Sequence, residues 1–523
     1  MRTTLNTRAL AFALSAIAIC LIDGVTHAAT VSTQGTLRAD QPGPVISRYI
    51  FGQFAEHLGF GIYDGIWVGE DSKIPNTNGY RNDVVAALKR LEVPVVRWPG
   101  GCFADEYHWR EGVGPRDKRP VRVNTHWGGV TETNAFGTHE FMNFAELIGA
   151  DAYISGNVGN GTPEEMAQWV EYITSDTTST LANERRKNGR DKPWKLPFFG
   201  LGNELWGCGG NMRAEYAADV TRRYQTFIKV PRGQQIVKIA AGASDDDYHW
   251  TEVFIRETSK FINGLSLHYY TSPGPTWNQK RSATDFDEDQ WIETLAKALR
   301  IEEFITKHSA LMDKADPDHK VSLMVDEWGT WYSPLPGSNP GFLQQQNSLR
   351  DALVAAIHLN TFSQHADRVK MANIAQMVNV LQAMILTRDD KMVLTPTYHV
   401  FEMYKPLRDA TLLPLTLSAP EYHHGDFKVP AVHGTAARGK DGKVYIALAN
   451  LDANNATRVT IKLTGLQTSR VSGQILTASA MNAINTFEKP DGVTPQAFKG
   501  AAVKASELSV DLPSKSVVML SLQ

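Results

Sequence analysis

From about residue 49 to residue 407, short apolar runs alternate with stretches in which apolar residues recur every three or four positions. The runs are YIFGQF from Tyr49, VPVVRW from Val93, AYISG from Ala152, PFFGLG from Pro197, IVKIAAGA from Ile236, INGLSLHYY from Ile262, VSLMVDEW from Val321 and VKMANIAQ from Val369. They are rich in β-branched or aromatic residues and bounded by Gly, Pro or polar residues, as buried parallel strands require. The helical spacing predicts helices over residues 81–91, 213–228, 250–260, 290–312, 344–364 and 396–404. Two more start at Thr138 and at Thr162-Pro163-Glu164-Glu165. The second start joins a capping side chain, a proline in the first turn and acids favoured by the helix dipole. Eight strands each followed by a helix is the count of an α/β fold of the (β/α)8 TIM-barrel type, with a doubly wound open sheet as the rival.

After Pro406 the helical period stops. KVYIALANL, TRVTIKL, RVSGQIL and KSVVMLSL alternate with turns such as Lys440-Asp441-Gly442-Lys443, which reads as a C-terminal antiparallel β-sandwich domain. Residues 29–47 are strand-like too and are expected to join that sandwich. The division expected is a barrel over residues 48–406 and a sandwich over 407–523. Residues 102–138 have little regular pattern, and a loop of that length is usually a functional wall or lid.

The first 28 residues need a separate account. Arg2 and Arg8 precede an apolar run over residues 9–22, and Thr26-His27-Ala28-Ala29 supplies small residues for cleavage. That is the pattern of a secretory signal peptide. The run is short for a membrane span, Ile19 ahead of Cys20 argues against lipidation, and no later segment is apolar enough to cross a bilayer. Export to the periplasm or the extracellular space is therefore expected, with cleavage near Ala28 or Ala29 and no membrane attachment afterwards. Cleavage leaves Cys102 and Cys208. Two cysteines are not a disulfide framework and lack the Cys-x-x-Cys spacing of a structural zinc site, so one disulfide or two thiols stay open.

Composition adds a little. The 523 residues are 42% hydrophobic and 21% charged, an ordinary globular balance, and the formal net charge of -3 offers no electrostatic case for a nucleic-acid partner. Twelve Trp and sixteen Tyr suit sugar faces, although most aromatic residues serve cores.

Working residues of a barrel sit at the C-terminal ends of its strands. There the chain places Glu56 and His57, then Arg97 to Cys102, Gly156-Asn157, Gly202-Asn203-Glu204, Ser244 with Asp245-Asp246-Asp247, His268-Tyr269-Tyr270, Asp326-Glu327-Trp328, and Gln376 with Asn379. Carboxylates from strands one, four and seven converge on one rim. Paired carboxylates at a barrel mouth suit glycoside hydrolysis, one protonating the leaving oxygen and the other attacking the anomeric carbon. Singly, each residue has an ordinary use: Glu204 as a helix cap, Glu327 in an ion pair, His268 as a rim residue, Trp206, Trp328 and Trp331 in the core, the aspartates as a cap or cation ligand. Other signatures fail. There is no Gly-x-Ser-x-Gly elbow, His139-Glu140 lacks the second His of a zinc protease, and Gly156-Asn157-Val158-Gly159-Asn160-Gly161 has the wrong spacing for a nucleotide loop.

FAEHLGFGIYDGIWVGED, VVRWPGGCFADEYHW, NTHWGGV, FGTHEF, ISGNVGNGT, GLGNELWGCGG, LSLHYY, VDEWGTWY and IAQMVNV, in that order, resemble glycoside hydrolase family 51, mostly α-L-arabinofuranosidases. The resemblance implies a retaining double displacement on a terminal arabinofuranoside of plant polysaccharides or oligosaccharides, without metal or organic cofactor. It implies Glu204 as general acid/base and Glu327 as nucleophile. It implies sugar contacts at Glu56, Asn203 and Tyr270, with Trp127, Trp331 and Gln376 carried over as well. After Trp-Pro-Gly-Gly many members have a sugar-contacting Asn, whereas this chain has Cys102, and a thiol is a poor hydrogen-bond partner. The family commonly forms homo-oligomers. An endo-β-glucanase or β-xylosidase on the same scaffold, or a sugar-binding protein without turnover, are the competing functions.

Overall fold

The computed structural model describes residues 31–523, so the signal segment expected over residues 1–28, with Cys20, lies outside the described residues. All eight apolar runs form strands of one closed parallel barrel: β1 Gly52–Phe54, β2 Val95–Trp98, β3 Asp151–Gly156, β4 Phe198–Leu201, β5 Val237–Ser244, β6 Gly264–Thr271, β7 Ser322–Thr330 and β8 Val369–Ala375. They pair in chain order, and β8 closes on β1 with Asn373 opposite Gly52. Closure excludes the open sheet.

The inward faces follow from the two-residue period of a strand. Val95, Tyr153, Phe198, Ile239, Met324 and Met371 form an apolar plug across the barrel. Two residues farther along, on the same faces, stand Arg97, Ser155, Asp326 and Asn373, all buried. The barrel is thus packed with hydrocarbon below and with polar groups above. Gly52 admits this packing. A Cβ there would lie 2.6 Å from Val95 Cγ1 and 2.9 Å from the Ala372 carbonyl oxygen.

Nine α-helices are found among the described residues: α1 Asn82–Leu91, α2 Thr138–Ile148, α3 Pro163–Thr174, α4 Thr180–Lys187, α5 Ala214–Phe227, α6 Tyr248–Thr258, α7 Glu288–Ala315, α8 Leu349–Gln364 and α9 Pro396–Met403. Thr162 caps α3, its Oγ1 accepting the Glu165 N–H at 3.1 Å. The sequence reading misses α4, because TLANERRK buries only Leu181, Ala182 and Arg185 and has no apolar stripe to detect. It starts α8 five residues early. The structure begins that helix at a capping box, where Asp351 Oδ2 accepts the Ser348 N–H at 2.7 Å. Residues 349–363 of α8 are all buried, as expected of a helix covered on every side. One face meets the barrel. On the other, Gln364 Nε2 donates to the Gly434 carbonyl at 2.8 Å and Asn360 lies 3.3 Å from His433 Nδ1.

Two sheets make the sandwich. One runs Leu415–Ser418, Val31–Arg38, Thr457–Thr464, Glu507–Leu512 and Ala501–Lys504. The other runs Thr411–Leu413, Val432–Arg438, Val444–Asn450, Ser516–Leu522, Val471–Thr477 and Gln496–Phe498. Leu37, Val459, Ile461, Leu508 and Val510 of the first pack on Ala436, Ile446, Leu448, Val518 and Leu520 of the second. The sandwich departs from a purely antiparallel one at a single ladder: Val31–Arg38 runs parallel to Thr457–Thr464. That strand comes from the far end of the chain, so no hairpin fixes its direction.

Gly52→Ala is expected to destabilise the protein by about 1–3 kcal/mol through overpacking, read as a lower urea midpoint; an unchanged midpoint would contradict the close approach at the β1–β8 seam.

Candidate active site

The C-terminal rim of the barrel holds a cavity of about 400 Å³ lined by Glu56, Cys102, Trp127, Glu204, Tyr270, Glu327, Trp331 and Gln376, among others. Eight of the nine residues singled out from the sequence meet there. Asn203, the ninth, is buried beside the cavity rather than on its wall. Trp206, Ser244, Asp245 and Trp277 complete the outer part. A larger cleft of about 740 Å³ lies elsewhere, around Arg116, Arg119 and Glu140, where Arg116 and Arg119 both pair with Glu140.

Glu204 leaves β4 two residues after Gly202. Its φ of 43° is in the left-handed region, which costs a non-glycine residue about 1–2 kcal/mol. Glu327 lies within β7. One oxygen of each carboxylate approaches the other within 4.8 Å, with a ring nitrogen of His268 in the same cluster. Two donors orient Glu327: Tyr270 Oη donates to Oε1 at 2.6 Å and Arg97 Nη1 to Oε2 at 2.7 Å. Glu204 Oε1 accepts from His268 Nδ1 at 2.9 Å, which leaves Oε2 free to carry a proton.

The electrostatics separate the two ends of this cluster. Burial raises the Glu204 pKa, and the Glu327 charge adds to the rise while His268 opposes it. Burial works against the His268 cation, but Glu327, Asp326 and Glu204 outweigh it and raise its pKa to about 10. Nε2 of His268 stands 3.2 Å from Asp326 Oδ1, a charge contact without hydrogen-bond alignment. Asp326 is held below the ordinary range by Arg97 and His268, against its own burial. A carboxyl whose proton affinity is raised by burial, next to one held by two strong donors, is the kind of split that paired acid and nucleophile roles use.

Glu56 forms the opposite wall. Its Oε1 accepts from the amides of Gly101 and Phe103 at 3.0 and 3.2 Å and from Trp127 Nε1 at 2.9 Å, and its Oε2 accepts from Gln376 Nε2 at 3.1 Å. Burial and the Glu327 charge lift it to about 7 despite these donors. Trp127 arrives on the hairpin Arg122–Asn124 and Val130–Glu132, so the irregular 102–138 segment does supply a wall. Trp331 stacks edge-on against Tyr270 and Trp277. Trp328 is core. Asp247 caps α6, accepting the Trp250 N–H at 3.0 Å.

Cys102 and Cys208 form a disulfide across 106 residues. Cys102 therefore presents a bonded sulfur, not a thiol, which settles the alternative left open by the spacing. Cys208 Sγ lies 3.6 Å from Glu204 Oε2 and has no hydrogen to donate. Asn203 is fixed by Arg97, whose Nη2 donates to Oδ1 at 2.6 Å. Arg97, His268, Asp326 and Tyr153 hold the pair, although of these the sequence reading gave a role only to His268, as a rim residue. The signal that could have found them is a charged or polar side chain at an inward position of a strand buried on both faces.

A deep barrel-mouth cavity with two facing carboxylates is the arrangement glycoside hydrolysis uses. The comparisons with known proteins agree. The α-L-arabinofuranosidase 1 domain matches residues 87–288, and the α-L-arabinofuranosidase C-terminal domain matches residues 326–516. A Bacteroides ovatus protein named an intracellular exo-α-L-arabinofuranosidase is 53% identical over 505 residues, covering 96% of this chain and 98% of that protein. A crystal structure of the family 51 arabinofuranosidase from Xanthomonas axonopodis pv. citri superposes with a TM-score of 0.94 at 68% identity, covering 94% of this chain and 100% of the other. A Thermotoga maritima α-L-arabinofuranosidase, solved as an arabinose complex, gives 0.82 at 30% identity, covering 94% and 99%. The chain belongs to the α-L-arabinofuranosidases of glycoside hydrolase family 51.

The B. ovatus relative also overturns one expectation. It is named intracellular, against the exported, periplasmic or extracellular location inferred from residues 1–28, and that location is withdrawn. The expectation rested on residues 1–28 alone, where two arginines, a short apolar run and small residues make a compositional pattern.

His268 carries a pH prediction. Its folded pKa near 10 exceeds the unfolded value of about 6.5, so its stabilisation is complete below about 6.5 and is lost as pH rises through 10. The stability gap between wild type and His268→Gln, from urea unfolding, is expected to shrink between pH 7 and 10; a constant gap would mean His268 is neutral in the fold.

Proposed function

We propose that the protein is a retaining, exo-acting α-L-arabinofuranosidase that removes terminal arabinofuranosyl residues from plant polysaccharides or oligosaccharides through a covalent glycosyl-enzyme. The carrying observation is the approach of the Glu204 and Glu327 carboxylate oxygens within 4.8 Å. Retaining enzymes hold the two carboxyls about 5–5.5 Å apart, and inverting ones need about 6.5–9.5 Å to fit a water. A cavity floored by the filled barrel supports exo action, since a closed floor favours a chain end over a chain running through.

In the first step Glu327 attacks the anomeric carbon. A bond from its oxygen forms as the bond to the leaving oxygen breaks, and the proton on Glu204 Oε2 passes to that oxygen. In the second step Glu204 takes a proton from water, the water oxygen bonds to the anomeric carbon, and Glu327 is released. Two inversions leave the configuration unchanged, and one water is consumed per bond cut. Tyr270 and Arg97 orient the nucleophile. Glu56 and Gln376, already bonded to each other, offer acceptors and donors to sugar hydroxyls. Trp127, Trp331 and the Cys102 sulfur line the rest of the cavity, with Asn203 buried just behind its wall. Both chemical roles fall to carboxylates, so the reading needs no metal or organic cofactor. We read residues 48–406 as the catalytic barrel and residues 29–47 with 407–523 as the sandwich, and we extend the proposal to a homo-oligomer on the family resemblance.

Glu204→Ala and Glu327→Ala are each expected to lower turnover of nitrophenyl arabinofuranoside by about 10²–10⁴ or more, with azide partly rescuing Glu204→Ala. Wild-type activity in both would refute the assignment. Across a panel of nitrophenyl glycosides the arabinofuranoside is expected to be cleaved; cleavage of the β-glucoside or β-xyloside instead would refute the substrate class.

A further inference from the structure

Asp105 is buried on the short 3₁₀ turn Cys102–Glu106 that follows β2, and no cation pairs with it among the described residues. Its partners are backbone amides from two other strand ends. Oδ1 accepts the N–H groups of Val158 and Gly159 at 2.8 and 2.9 Å, and Oδ2 accepts the N–H of Asn203 at 2.7 Å. The Gly156–Gly161 loop, which looks superficially like a phosphate cradle, is therefore already filled: an internal carboxylate takes two of its amides, and Asn157 Oδ1 takes those of Asn160 and Gly161 at 3.0 Å. The approach is close enough that a Cβ at Gly209 would lie 2.7 Å from Asp105 Oδ2.

What Asp105 grips is the backbone immediately before Glu204. Gly202 has φ 81° and Glu204 has φ 43°, so Asn203 sits between two left-handed residues. A turn of that kind persists only when its surroundings over-determine it. Arg97 fixes the Asn203 side chain and Asp105 fixes its amide. Three amide donors from two separate loops fix one buried carboxyl from several directions, so the joint resists rotation. The same turn carries Cys102, so the disulfide and the carboxylate bind one short segment to one catalytic loop by two separate means.

We propose that Asp105 is a positioning residue for proton donation: by holding the Asn203 amide it sets the direction in which the Glu204 carboxyl faces the leaving oxygen. The proposal rests on the reading of Glu204 as the acid. It distinguishes Asp105 from a residue needed only for folding, because a misaimed acid harms only those substrates whose leaving group requires a proton.

The test compares kcat/KM on phenyl and dinitrophenyl arabinofuranosides for wild type, Asp105→Asn and Glu204→Ala. Dinitrophenolate departs without protonation; phenolate gains from it. Glu204→Ala is expected to lose about 10²–10⁴ on the phenyl substrate and far less on the dinitrophenyl one. Asp105→Asn should show the same pattern in milder form, about 10- to 100-fold on the phenyl substrate and within about threefold on the other, as a small misplacement of a catalytic group produces. Equal losses on both substrates, or none, would overturn the proposal while leaving the Glu204 assignment intact. Absence of leaving-group dependence in Glu204→Ala would overturn the acid assignment and the proposal with it. If Asp105→Asn does not fold, Asp105→Glu, which keeps the carboxyl but moves it by one methylene, is read by the same ratio.

Discussion

The site is organised around one buried cation. Arg97 is 1% exposed, and its guanidinium touches the products of four other strands: the Phe54 ring of β1 at 4.6 Å, Ser155 Oγ of β3 at 3.2 Å, Asn203 Oδ1 beyond β4 at 2.6 Å, and Glu327 Oε2 of β7 at 2.7 Å. A planar group with five donors can satisfy that many directions at once, and a lysine could not. Without it, Asp326 and Glu327 would have only His268 as a neighbouring cation in a dry interior. Removing one partner of such a buried set leaves uncompensated charge, at a cost of about 3–5 kcal/mol. The polar upper layer of the barrel is affordable only because this cation is there.

Burial then does two jobs with one cause. It raises Glu204, Glu56 and Asp105, the last two to about 7. It does not neutralise His268, because three acids surround that ring. A carboxyl raised by burial, a cationic imidazole and a doubly hydrogen-bonded carboxylate therefore lie in one cluster. The arrangement is strained at Glu204 and cross-tied by Asp105, Arg97 and a disulfide, which fits a rim whose loops have no sheet to hold them.

The barrel was legible because its strands are buried on both faces and so appear as bare apolar runs between turn residues. That Glu204 and Glu327 meet at one rim was legible because both follow such apolar runs, and the barrel brings those strand ends together. Four features were not. The helix Thr180–Lys187 lacks an apolar stripe. Arg97 and His268 look unremarkable in isolation; their meaning comes from facing Asp326 and Glu327 across the barrel, a relation between distant strands that no local spacing encodes. Asp105 stands in an irregular segment, and what it binds is backbone, which leaves no mark on side-chain pattern. The pairing of Cys102 with Cys208 depends in the same way on two loops meeting.

The strand Val31–Arg38 ties the beginning of the described chain to its last fifth, with Val31 opposite Thr457 and Arg38 opposite Thr464. It lies inside its sheet, with Leu415–Ser418 on its other edge. During synthesis the barrel strands all leave the ribosome before either partner of this strand exists. For that interval a β-strand with two open edges must wait, and open edges recruit other chains. In the finished protein the same ladder is a clasp: both flanks of the barrel are fastened into one sheet, so opening the barrel at the β8–β1 seam requires parting the sandwich as well.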